Sequence, residues 1–243
     1  MPQVKLTVVP KETIHQTLSK WEEIDQYRKK CSESRLNSLA RRYPYISATE
    51  TSPYSFLMNS IVPIEGPLEI IYLDGQSDAG MPHTRGIRGI ALPIFQLWDP
   101  NIRTLNHEIV HISQKQYRVR WLEWYARHWN FRTCSDKERL EIPQRWMDRR
   151  RINPDRLIDE FVVWKDRYIP MAVFVNSITP DLRYCKRGFW DLAISQWTWE
   201  PPPGWTELFL EGYNDEHPHE IAAHWLDGSA GKEKQEYFHL HPI

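Results

Sequence analysis

The chain has 243 residues, 41% of them hydrophobic, so roughly 100 apolar side chains are available for a core, which excludes a peptide or a disulfide-stapled miniprotein. Lys and Arg total 31 against 32 Asp and Glu, a net charge of −1, so no general positive field marks nucleic acid or an anionic membrane as the principal partner. The three cysteines, Cys31, Cys134 and Cys185, are odd in number and form no CxxC pair, which speaks against a disulfide framework or a thiolate zinc site and favours a reducing compartment.

In chain order, Val4, Leu6 and Val8 alternate with Lys5 and Thr7, the period-two pattern of a half-buried strand that Pro10 ends. The opening stretch is too short an apolar run for a signal peptide. Ile14, Leu18, Trp21 and Ile24 recur at helical spacing, predicting one helix over about 11–30 and a shorter one over about 34–42. A connecting region with Pro44, Pro53, Pro63 and Pro67 follows. Leu68–Leu73 reads as a strand closed by Asp74-Gly75, and Ile87–Leu92 as a second, whose Gly86 and Gly89 suit an edge or a bulge. Asp99-Pro100 predicts the start of a helix that runs to about Arg118 and onward toward Trp129.

Beyond residue 130 a mostly helical C-terminal half is expected, with helix starts near Ser135, Asn153-Pro154 and Asp215 to Pro218, and with a proline-rich loop at 201–204. The run Tyr168–Val175 is broken by Pro170 and is far too short to span a membrane. The expectation is one soluble, cytoplasmic α+β domain: 1–66 an N-terminal strand and helix cap, 67–226 a core, and 227–243 a C-terminal tail.

The chemistry is concentrated in the expected central helix, at His107-Glu108-Ile109-Val110-His111. Residues four apart stand one turn above each other, so His107 and His111 can grip one metal ion, while Glu108 lies beside that face as a general base. Ile102, Leu105, Ile109 and Ile112 form an apolar stripe on roughly the opposite side. A catalytic zinc needs a third protein ligand. Gln114 and Tyr117 occupy the positions that an extended HExxHxxGxxH motif reserves for glycine and histidine, which disfavours a metzincin.

The expected third ligand is Glu220, near the start of a helix opened by Pro218, where Ala222 and Ala223 permit close approach of a neighbouring helix. His224, one turn on, is an alternative ligand or an orienting partner. His219 and His217 are weaker alternatives. His128 and Glu123 are carried along the axis away from the motif, and Glu160 reads as part of a solvated face.

These residues resemble the zincin metallopeptidases, and within them the gluzincin arrangement, in which HExxH is completed by a glutamate on a later helix. Four blocks, Met81-Pro-His-Thr-Arg-Gly86, Thr104 to Gln114, Arg151-Ile-Asn-Pro-Asp155 and Glu216-His-Pro-His-Glu220, are also similar to zincin-like proteins, including ones encoded by large DNA viruses. The resemblance implies a zincin-like fold with Zn2+ on His107, His111 and Glu220, and peptide-bond hydrolysis with Glu108 as base. It also implies an edge strand around Thr84 to Leu92 along which a peptide or protein substrate lies. Tyr213 or His83 would donate to the oxyanion.

Two other readings belong beside it. An inactive zincin-fold binding or virion protein would use the Trp-rich stretch Gln196–Trp205 as a docking patch. Nucleic-acid binding through Tyr117–Trp129 and Arg149–Arg151 has little support from the overall charge.

Overall fold

The computed structural model describes residues 3–44, 55–156, 160–209, 216–241 and 243. Over these residues the chain is mixed α+β, with two five-stranded sheets. In order it forms β1 (Gln3–Val8), α1 (Ile14–Asp25), α2 (Tyr27–Glu33), α3 (Arg35–Ala40), β2 (Ser55–Asn59), β3 (Leu68–Leu73), β4 (His83–Arg85) and β5 (Gly89–Pro93). There follow α4 (Phe95–Trp98), α5 (Ile102–Gln116), α6 (Arg118–Trp129), β6 (Phe131–Thr133), α7 (Asp136–Glu141), α8 (Gln144–Met147), β7 (Val162–Trp164) and β8 (Tyr168–Phe174). The last are β9 (Cys185–Asp191), β10 (Gln196–Thr198), α9 (Trp205–Phe209), α10 (Pro218–Leu226) and α11 (Lys232–Leu240).

The first sheet has the order β2-β1-β3-β5-β4, with β1, β3 and β5 parallel and the two edges antiparallel. Both faces of its centre are covered, which explains why Leu68–Leu73 is apolar almost throughout rather than alternating. Leu68, Ile70 and Ile90 pack with Leu105, Ile109 and Ile112 of α5 on one side. Ile71, Leu73 and Ala91 pack with Ile14 and Trp21 of α1 on the other. Ile102, expected in the apolar stripe, lies at the exposed start of α5.

Several expected boundaries shift for identifiable reasons. The single helix over 11–30 breaks at Gln26, which is left-handed at φ 50°, because Glu22 turns back to accept the Arg28 and Lys29 backbone N–H groups and Asp25 accepts that of Tyr27. The N-cap of α5 is Asn101, whose Oδ1 accepts from the Arg103 and Thr104 amides, not Asp99. Strand β5 is internal, and the edge is the three-residue β4. Strand β2 arises within the region read as pure connection.

The expectation of a mostly helical C-terminal half is overturned by the second sheet, an antiparallel meander of order β10-β9-β8-β7-β6. Three of its strands have only three residues each, and Pro170 disguises β8, one of the two seven-residue strands. The proline is tolerated between two pairings on one side of β8: Trp164 with Tyr168, and Arg150 with Val173. Val163, Ile169, Met171 and Trp190 build a core on one face, while Phe131, Trp164 and Phe189 on the other join the core beneath α6. No helix starts at Asn153-Pro154; a turn stands there, and the chain leaves its pairing with β8 to run toward α5. Among the described residues no helix is long and apolar enough to cross a membrane.

Candidate metal centre

Helix α5 carries His107 and His111 toward α10, and Ala222 and Ala223, fully buried in the core that α5 shares, leave room for the two helices to approach. Pro218 and the His217 side chain start α10, the latter accepting from the His219 amide, so that Glu220 falls in its first turn, facing both histidines.

The three side chains converge. His107 Nε2 and His111 Nε2 are 3.1 Å apart, and Glu220 Oε2 is 3.6 Å from the first and 3.5 Å from the second. Ligands on a tetrahedral zinc with bonds near 2.0–2.1 Å stand about 3.3 Å apart, so this triangle is close to one face of that tetrahedron.

The outer nitrogens sharpen the point. His107 Nδ1–H donates to Asp227 Oδ2 at 2.8 Å, and His111 Nδ1–H donates to Gln114 Oε1 at 2.8 Å. Each neutral ring therefore presents a lone pair at Nε2, and both lone pairs meet a carboxylate oxygen: a donor set that calls for a cation. Without metal, protons serve instead. Against the effect of burial, Asp227 and Glu220 hold His107 well above its usual range, and Glu220 raises His111. Against burial again, the two histidines hold the Glu220 carboxyl well below its ordinary value.

Supporting contacts fix every member. Asn153 Nδ2 donates to Glu220 Oε1 at 2.6 Å, leaving Oε2 for the histidines. Gln114 Nε2 donates to the His219 carbonyl at 2.9 Å and to Tyr125 Oη at 3.1 Å, tying α5 to α10 and α6. Glu108 is buried, with Oε2 lacking any partner among the described residues, and burial together with the nearby Asp155 carboxylate pushes it up to about 8. Glu108, His107 and Glu220 line a cavity of about 450 Å³.

The other sequence candidates separate cleanly. His224 lies beside His107, ring centroids 4.7 Å apart, with Nδ1 3.1 Å from Ser229 Oγ, and forms a looser triad with His107 and Glu220. His128 is stacked on Trp124 and Glu123 is exposed, both away from the cavity. Glu160 is not on a solvated face; it is buried, bonded to Arg118 at 2.8 Å, and close to His217 and His219. Burial, a neighbouring histidine and the Arg156 guanidinium keep those two histidines well below their usual range, and Arg118 is paired with the Glu160 carboxylate. His83 lines the cavity with Nδ1 2.9 Å from the Met81 carbonyl and Nε2 facing Asp78. Tyr213 lies outside the described residues.

Asp227, Gln114, Asn153 and Asp155 are the site residues that the motif alone did not assign. Asp227 had a readable signal: it follows Glu220 and His224 by seven and three positions, on one helical face. The Trp-rich stretch offers less surface than its composition suggests, since Trp205 is buried and Trp197 stacks on Trp146 at 4.2 Å. Trp121, Trp124, Tyr125 and Trp129 are core residues, which withdraws the aromatic half of the nucleic-acid reading. No protein-family model matches the chain, and neither a curated protein nor a solved structure matches it.

Proposed function

We propose that the chain is a zinc-dependent metallopeptidase of zincin-like architecture, with His107, His111 and Glu220 as ligands and Glu108 as general base, acting on a peptide or protein substrate. The observation that carries the reading is the convergence of two imidazole lone pairs and one carboxylate oxygen at separations of 3.1, 3.5 and 3.6 Å at the wall of a cavity. The donor set, two nitrogens and one oxygen, fits zinc with a position left for solvent. An N-terminal sheet packed against the helix that bears HExxH is consistent with the α+β, zincin-like arrangement that the sequence resemblance implies.

When bound, zinc supplies a Lewis acid and a water that ionises near neutral pH. Burial and Asp155 raise Glu108 in the metal-free chain, and the charge of a bound dication would return it to the carboxylate, which would take the proton and hand it to the leaving amine. Asp227 and Gln114 hold the imidazoles in the tautomers that point Nε2 inward.

The test pairs metal analysis with turnover. Wild type is expected to retain one zinc per chain after dialysis. Glu108→Gln should keep it while losing about 10²–10⁴ in peptide hydrolysis, and His107→Ala should lose both. Absence of stoichiometric zinc, or equal hydrolysis by wild type and Glu108→Gln, overturns the assignment.

A further inference from the structure

Strand β4 is the sheet edge nearest the ligands, yet it is not open to a peptide. In an antiparallel strand alternate residues turn their backbone groups to opposite sides, and the middle residue, Thr84, points its amide away from β5. That N–H donates to Asp155 Oδ1 at 2.6 Å, and the Thr84 hydroxyl donates to the same oxygen at 3.0 Å. Lys115, one turn beyond His111, fastens the segment further by donating to Thr84 Oγ1 at 2.7 Å and to the Pro154 carbonyl at 2.6 Å. His83, Thr84 and Arg85 are all buried. The chain's own Asn153–Asp155 thus lies where an added substrate strand would have to pair, which corrects the expectation that residues 84–92 offer an edge to an extended peptide.

What remains is the cavity of about 450 Å³, bounded on one side by this segment and within the usual ~300–1,000 Å³ range of small-ligand sites. Its inner wall is anionic. Asp155 stands within 4.8 Å of the ligand atoms of His111 and Glu220, and Asp155, Glu108, Glu220 and Asp227 all line the same space. Of the cations there, Arg151 is bonded to Glu216, Arg41 is bonded to Asn37 and the Ile152 carbonyl, and Arg103 stands on an exposed part of the wall.

We propose that the site takes the amino end of a short peptide, with Asp155 anchoring the free α-ammonium beside the metal ligands, and that it removes terminal residues rather than cutting inside an extended chain. The inference rests on the metallopeptidase reading above. It follows from a blocked strand edge, a bounded cavity, and a carboxylate that holds Thr84 through Oδ1 and has an oxygen within 4.8 Å of the ligand atoms of His111 and Glu220. The bond broken is the first peptide bond: water adds OH to the released residue's carbonyl carbon and H to the new amino terminus.

Zinc-loaded protein is titrated calorimetrically with leucine hydroxamate and with its N-acetyl derivative, and hydrolysis of Leu-Gly-Gly is compared by mass spectrometry with that of a long peptide blocked at both ends. The free-amine hydroxamate should bind about tenfold more tightly or better, as expected for a charge-assisted hydrogen bond. The difference should shrink to within about twofold in Asp155→Asn, whose amide oxygen can still accept from Thr84. Single residues should leave Leu-Gly-Gly, and the blocked peptide should stay intact. Equal binding of the two hydroxamates by zinc-loaded wild type, or cleavage within the blocked peptide at a comparable rate, overturns the inference and leaves the metal assignment standing. A protein that takes up no zinc removes both. The wild-type comparison needs no variant to fold.

Discussion

Removing the Asp227 carboxylate tests whether the donor geometry is held from outside the triangle. The His107 Nδ1–H···Oδ2 bond is 2.8 Å long, and the Asp227 side chain is only 4% exposed, so little solvent screening reduces its strength. Hydrogen bonds to charged groups are worth about 1.5–3 kcal/mol, equivalent to roughly 10- to 150-fold in an equilibrium constant. That range overlaps the 10–100-fold typically lost when the carboxylate behind a metal-bound histidine is removed. Asp227→Ala should therefore weaken zinc binding about 10–100-fold, and Asp227→Asn, which keeps an acceptor but not the charge, by about tenfold or less. Competition against a chromogenic zinc chelator at neutral pH reads both, with His107→Ala as the reference for full loss. If Asp227→Ala binds zinc within twofold of wild type while His107→Ala does not bind, Asp227 does not set the ring's tautomer and the lone-pair account of the site is wrong.

Other expectations concern stability. Zinc at about 100 times its dissociation constant should add about 2.7 kcal/mol, raising Tm by roughly 5–10 °C over chelator-treated protein, and calorimetry showing no shift would contradict binding to the folded state. Gly89→Ala places a Cβ 2.3 Å from the buried Trp21 ring, whose Nε1–H is fixed to Glu69 at 2.9 Å, so a loss of about 1–3 kcal/mol is expected in chemical denaturation and an unchanged midpoint would refute the packing. Burial lowers Lys115 from 10.5 to about 8. Its folded value lies below its unfolded one, so the penalty of burying the charge is full below about 8 and gone above about 10.5, and stability rises with pH across that window. Wild type should gain on Lys115→Met by no more than about 3 kcal/mol between those limits in urea titrations, and a gain toward lower pH would reverse the sign.

How much was legible in the sequence depended on whether a local pattern carried the structure. Strands β1 and β3, the start of α10 at Pro218 and the Ser135 cap of α7, where Ser135 and Glu138 form a reciprocal capping box, all have their signal within a few residues. The pairing of His107 with His111 is helical arithmetic, and Glu220 was accessible from the helix start beside it. The second sheet was not legible, because strands of three residues such as β6, β7 and β10 carry too little alternation to be read and β8 contains a proline. Glu160 looked like a solvated face, yet it is buried and paired with Arg118 of α6, 42 residues away. Asn153 and Asp155 were similarly opaque. Their partners Glu220 and Thr84 lie far along the chain, and only the tertiary fold brings them together.

The break at Gln26 has a consequence for how the molecule is joined. Glu22 and Asp25 stand in the last turn of α1, just before the break, where Arg85, buried to 1%, reaches them at 2.7 Å each, while the ring of Tyr27 lies 4.9 Å from the guanidinium. One bend therefore pins the third residue of β4 from behind, while Asp155 pins the second from in front. The strip of backbone that frames the cavity is clamped from both flanks by charge, so an insertion or deletion in the 22–27 turn should be felt at the cavity wall before it is felt anywhere on the surface.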